Sequence, residues 1–149
     1  FAGYARPAKS LLPETHWAFA PPPATLAEDP AAAAEALAGL YPDTEAPPRV
    51  TWLTSTDRLR VSLARVGAQA LGEVGLPVEI VSLELGALLA RLAAGDFDMA
   101  TLVLPELTEP NVLRVFLHGD AVPPAGANRG RVRDAALDAL LEQAAASRS

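Results

Sequence analysis

Two short segments carry the residues best suited to hold a ligand. One is the hydroxyl-rich run Leu53-Thr54-Ser55-Thr56-Asp57; the other is Leu104–Pro110, which bears Glu106 and Glu109. Hydroxyls beside the free N–H groups of a helix start suit an anion. The same residues also serve as plain helix caps, through Thr56 or Asp57. Glu106 suits a cationic group such as a free amine, or stands as a solvated loop carboxylate. A third group, Asn128-Arg129-Gly130-Arg131-Val132-Arg133, is basic. It reads either as an exposed loop before a helix or as a contact for a partner lobe or an anionic ligand group.

Reactive chemistry has little support. His16 and His118 are the only histidines, far apart and without ligand spacing, so no metal site is expected. There is no cysteine, which removes disulfides, thiol nucleophiles and cysteine metal sites. Ser55, Ser62 and Ser82 lie in no G-x-S-x-G elbow. A dinucleotide site would need G-x-G-x-x-G after the first strand, and a P-loop would need a Gly-rich loop with Lys; neither occurs. The expectation is a binding protein without catalytic residues or cofactor.

The elements that must position these residues are legible from Arg49 to Leu104. Val50–Thr54 is apolar and β-prone. Leu59, Leu63, Val66 and Ala70 then recur at helical spacing until Gly75 and Pro77 stop the helix. Val78–Leu83 reads as a second strand, Glu84–Ala94 as a second helix ended by Gly95, and Phe97–Leu104 as a third strand. Two consecutive strand–helix–strand units predict an α/β fold: a three-layer αβα lobe whose short, mostly parallel sheet runs 2-1-3. Ligands of such sheets bind outside the carboxyl ends of the strands, at the switch point between strands one and three. Asp96 and Asp98 fall at the opposite end and read as helix-end and strand-start charges.

The flanks differ in composition. Residues 1–48 hold nine of the 14 prolines, a density that excludes a central strand. They read as a Pro-rich extended arm, Phe1–Thr25, anchored by Trp17 and Phe19 on other protein surface, then a short helix Pro30–Leu40. Asp29 would cap that helix, with Leu37 and Leu40 inward. Residues 49–149 form the α/β lobe. Val112–Leu117 is a short helix, Gly119–Arg131 a long loop, and Asp134 caps a last helix to about Ala146 with Leu137, Leu140 and Leu141 as its buried stripe.

At 149 residues and half hydrophobic, the chain suits one domain with a core of Leu, Val and Ala. The net charge of −6 argues against nucleic acid as a partner, because phosphate neutralisation needs a basic face. No apolar run approaches the about 20 residues of a membrane span. Phe1-Ala2-Gly3-Tyr4 has no signal-peptide character and no Met at position 1, so the chain reads as a piece or a processed product.

Several segments together resemble the extracellular solute-binding proteins of peptide, oligopeptide and nickel ABC transporters. Gly3-Tyr4-Ala5-Arg6-Pro7-Ala8 with Leu12-Pro13 resembles the entry into their C-terminal lobe. Val50–Asp57 and Gln69–Ile80 resemble the strand–helix–strand, and Gly95-Asp96-Phe97-Asp98 the G-x-F/Y-D strand. Glu109-Pro110 stands where the family often has Asp-Pro or Glu-Pro. Asn128 to Arg131 and then Leu137-Asp138-Ala139-Leu140-Leu141 are similar to a late N…R…D-x-L-L pattern.

The resemblance implies a periplasmic-binding-protein-like lobe of a two-lobe receptor. This chain would be most of the C-terminal lobe, with the signal, the N-terminal lobe and the returning strands lying outside it. It implies capture of peptides or related small solutes between lobes, delivery to ABC permease subunits, and a periplasmic or extracytoplasmic place, membrane-associated through the transporter. Thr54, Ser55, Thr56, Glu106, Glu109, Asn128 and Arg129 are the expected ligand contacts, with Glu106 near the position where some members meet a peptide amine. The family commonly has Trp and Asp in this loop, where this chain reads Val103-Leu104-Pro105-Glu106-Leu107. Two other readings compete: a stand-alone flavodoxin-like domain with a phosphate site at Thr54–Asp57, and an interaction scaffold resting on the arm.

Overall fold

The computed structural model describes residues 8–22, 27–42, 47–103, 109 and 111–146. Glu106 and Leu104 lie outside them. The chain divides into two compact units, Glu28–Val103 and Phe1–Ala27 with Leu104–Ser149.

The first unit is built on three parallel strands, β1 (Val50–Ser55), β2 (Val78–Leu83) and β3 (Met99–Ala100), in the order β2-β1-β3. β1 pairs with β2 along its whole length, from Val50 opposite Val78 to Ser55 opposite Leu83. β3 is far shorter than the eight-residue strand expected at 97–104. Its regular pairing covers only Met99 and Ala100 against Trp52 and Leu53, extended by backbone bonds from Asp98 to Thr51 and from Thr101 to Leu53. Asp98 also accepts the Thr51 N–H at 2.8 Å, so its carboxylate ties the strand start to β1.

Side chains alternate across β1, and this sets the layers. Leu53 is fully buried on one face and packs with Leu88 and Leu92 of α3 (Leu85–Ala94). Trp52 points to the other face, where α2 (Arg58–Glu73) lies. Helices therefore cover both faces of the sheet, as the sequence pattern predicts.

The apolar row that marks α2 in the sequence is not its buried face. Leu59, Leu63 and Val66 are exposed, Val66 at 69%, and the residue buried in this helix is Ala64. The reason is Trp52. A Cβ on Gly67 would stand 2.7 Å from its indole ring. The sheet supplies the bulk here, so the helix approaches through the small residues Ala64, Gly67 and Ala68, and the larger apolar row is turned to solvent.

Local signals fix the helix ends. Asp57 caps α2 by accepting the Arg60 N–H at 3.0 Å. Gly95 closes α3 at φ 78°, a left-handed conformation that favours glycine. Arg91 pairs with Asp96 at 2.7 Å just beyond that end. The helix α1 (Pro30–Leu40) has Asp29 as its cap and Pro30 in its first turn. It lies in the same unit as the sheet, with Pro30, Ala31 and Ala33 lining a hollow together with Ala70, Leu71 and Val74 of the α2 end. Leu37 is half-buried, but Leu40, expected inward, is 73% exposed.

In the second unit, residues 8–22 contain no helix or strand. The backbone turns, with His16 N–H on Pro13 carbonyl and Phe19 N–H on His16 carbonyl, and Trp17 is exposed beside the ring of His16. Further along come α4 (Val112–Leu117), a single 3-10 turn (Gly119–Ala121) and α5 (Ala135–Ala146). Asp134 caps α5 through the N–H groups of Ala136 and Leu137. Leu137 and Leu141 are half-buried, whereas Leu140, expected in the same stripe, is exposed. Arg114 on α4 and Glu142 on α5 pair at 2.7 Å.

Candidate functional site

β1 and β3 leave the sheet side by side, because β1 is central and the chain reverses its order there. At their carboxyl ends lies an open cavity of about 220 Å³, lined by Ser55, Arg60, Thr101 and the apolar Leu85, Leu88, Leu102 and Val103. A cavity near 150 Å³ already holds a benzene-sized molecule. The hollow therefore has room for one side-chain-sized group and not for an entire larger ligand.

Its polar groups are organised around Ser55. Arg60 Nη1 donates to Ser55 Oγ at 3.1 Å, and the Asp57 N–H donates to the same oxygen at 3.4 Å. Ser82 Oγ donates to the Ser55 carbonyl at 3.3 Å, tying the ends of β1 and β2. Thr56 is exposed and its hydroxyl donates to Glu84 Oε1 at 3.4 Å. The Trp52 indole N–H donates to Thr101 Oγ1 at 2.8 Å, which fixes the start of the β3 exit against β1.

The expected contacts separate under this geometry. Ser55 lines the cavity, whereas Thr56 is exposed and outside its lining. Thr54 is fully buried on the α2 face, its hydroxyl without a partner among the described residues. Glu106 lies outside the described residues, and Glu109 is exposed. Asn128 and Arg129 belong to the other unit.

Asn128 is fully buried, and its amide is committed to backbone. Its Nδ2 donates to the carbonyls of His118 (3.0 Å) and Val132 (2.8 Å), and its Oδ1 accepts the Val132 N–H (3.0 Å). It pins the loop. Arg129 is half-buried, its Nε unpartnered among the described residues.

Sequence reasoning passed over Arg60. A signal was present: two arginines, Arg58 and Arg60, occupy the first turn of α2 with no acidic residue there. Positive charge at a helix N-terminus works against the helix dipole. Among the described residues no cluster of His, Asp and Glu could hold a metal ion, and no helix is long and apolar enough to cross a membrane.

A scan of protein-family models finds no match to the sequence, and a search of curated proteins finds none. Solved structures do match. A substrate binding protein from Microbacterium hydrocarbonoxydans, complexed with 4-hydroxybenzoate hydrazide, is 21% identical, with a TM-score of 0.68 over 87% of this chain and 26% of its own. NikZ from Campylobacter jejuni, in complex with Ni(L-His), is 17% identical, with a TM-score of 0.65 over 77% of this chain and 25% of its own.

The oligopeptide-binding protein AppA from Bacillus subtilis, in complex with a nonapeptide, is 21% identical, with a TM-score of 0.56 over 64% of this chain and 19% of its own. The fold is that of a solute-binding-protein lobe. The resemblance read from the sequence thus holds at the level of the fold. The lobe spans about a quarter or less of the length of these proteins. Their ligands are an aromatic hydrazide, a metal chelate and a peptide, so the shared lobe architecture does not by itself select a solute.

Proposed function

We propose that this chain is a ligand-binding lobe of the extracytoplasmic receptor of an ABC importer, capturing peptides or related small solutes against a second lobe. The observation that carries the reading is the open cavity where β1 and β3 exit together, in a fold shared with proteins that bind solutes. Ser55 and Thr56 line the exit of β1. The sequence after β3 carries Glu106 and Glu109, and Glu106 is proposed to meet a solute amine. An ammonium group buried between lobes must be paired with a carboxylate, since an unpaired buried charge is very costly.

Contacts to a peptide main chain let one site accept many side chains. Closure of two lobes on a hinge excludes water and signals occupancy to the permease subunits. A receptor that must release its cargo works at moderate affinity; about 1 μM corresponds to roughly −8 kcal/mol. The role is non-catalytic and the place is periplasmic or otherwise extracytoplasmic.

The competing phosphate-binding reading places an anion at Thr54–Asp57. The Asp57 carboxylate already accepts the Arg60 N–H, the helix-start donor on which such a phosphate would rest, and the segment has no glycine-rich loop to wrap one. The test of the receptor reading is calorimetry on the two-lobe protein containing this lobe, titrated with di-, tri- and oligopeptide pools and with nickel–histidine. Saturable heat with one of these solutes is expected; no heat with any of them would remove the proposal.

A further inference from the structure

Arg60 is a cation placed against its own helix. It stands in the first turn of α2, where the dipole disfavours positive charge. Its side chain is half-buried, while Arg58 and Arg65 on the same helix are exposed. Arg91 and Arg114 are paired with carboxylates at 2.7 Å; among the described residues no carboxylate pairs with Arg60. It is held instead by a neutral hydroxyl, Ser55 Oγ, at 3.1 Å, which turns the guanidinium over the end of β1 and into the wall of the cavity. The remaining wall is largely apolar: Leu85, Leu88, Leu102 and Val103.

A guanidinium beside an apolar wall lacks part of its hydration, and an arriving carboxylate restores charge balance through paired N–H···O bonds. Two carboxylates at the ends of the neighbouring elements are otherwise engaged. Asp57 accepts the Arg60 backbone N–H, and Glu84 accepts the Thr56 hydroxyl. We infer that this cavity is a subsite for a carboxylate attached to a short branched apolar group. The carboxylate lies on Arg60 and Ser55, and the apolar part lies against Leu85, Leu88, Leu102 and Val103. The group is the acid end of a small solute or the last residue of a peptide. This rests on the reading of the sheet edge as a ligand surface, and it names the end of the solute that the edge selects.

The test uses the 149-residue chain, isotopically labelled, and NMR titration with isocaproate and isocaproamide, which share shape and differ in charge. The acid is expected to shift the amide signals of Ser55, Arg60, Leu102 and Val103, and to bind about tenfold or more tightly than the amide, as charged hydrogen bonds require. Arg60→Gln brings the two affinities together. Arg60→Lys restores only part of the gap, because an ammonium keeps the charge without the planar fork.

Ser55→Ala, which frees the guanidinium, narrows the gap severalfold and keeps the test alive should Arg60→Gln fail to fold. An acid that shifts no signal at tens of millimolar, shifts signals elsewhere, or keeps its full advantage in folded Arg60→Gln overturns the inference. A tripeptide ending in leucine and its C-terminal amide, run the same way, separate the two sources: a larger preference in the peptide pair assigns the subsite to a chain end, and an equal or smaller one to the acid end of a small solute. The receptor reading is judged separately, by calorimetry with the two-lobe protein, and stands or falls without this cavity's charge preference.

Discussion

Trp52 and Gly67 fit as a pair, and the fit decides which face of a helix is buried. Because the indole fills the space a Cβ would need, Gly67→Ala is expected to lower stability by about 1–3 kcal/mol, the usual range for overpacking. Urea unfolding measures it. Trp52 fluorescence, read in a Trp17→Phe background because Trp17 is the exposed tryptophan, reports whether the ring moves.

Gly72 is the internal control, since nothing stands within 4 Å of its Cβ position. Gly72→Ala is expected to stabilise by up to about 1 kcal/mol through helix propensity alone. Asn128 follows a similar logic. Read from sequence it is a candidate ligand contact, and nothing in its neighbours reveals that it bonds to backbone ten and four residues away. Asn128→Ala leaves those backbone groups short of partners and is expected to cost about 1–3 kcal/mol in chemical denaturation.

Element boundaries were far more legible than element faces. Caps and stops are local chemistry: Asp29 with Pro30, Asp57, Gly95 and Asp134 each act within a turn of their own position. Faces depend on what lies opposite: Leu40 and Leu140 were read inward and are exposed, and the periodic row Leu59, Leu63 and Val66 points outward, because periodicity carries no information about the partner surface. The short β3 was hidden for the same reason, since a β-prone run does not say how far its neighbour extends.

The α4–α5 contact yields a pH prediction at this scale. Hydrogen bonds from Arg114, then its charge, hold the Glu142 carboxyl below its ordinary value of 4.5, with His118, 3.2 Å away, adding a smaller pull. A depressed acid stabilises the fold fully above that ordinary value and loses the effect as pH falls through the folded value. Thermal melts of the wild type and Glu142→Gln are therefore expected to differ near pH 7 and to converge as pH falls through the lowered folded value of Glu142. The difference should be small and shrink with salt, because the pair is on the surface.

At the scale of the molecule, the sheet order, the layers and the position of the cavity followed from two strand–helix–strand units, because handed crossovers leave few alternatives. The cation in that cavity did not follow, because its meaning depends on Ser55 turning it across the strand end. The lobe also sets a limit on affinity. Its cavity of about 220 Å³ is open, below the roughly 300–1,000 Å³ of pockets that enclose most of a ligand.

Under the proposed receptor role, a solute resting here would keep much of its surface in water, and the rest of the burial would come from a facing lobe. The 149-residue chain is therefore expected to bind the solute that saturates the two-lobe receptor at least about a hundredfold more weakly, a loss of roughly 2.7 kcal/mol. Calorimetry on the receptor, paired with NMR titration of the lobe, measures both constants. Equal affinities would mean that this lobe encloses its solute unaided, and that closure onto a partner is not how the protein captures it.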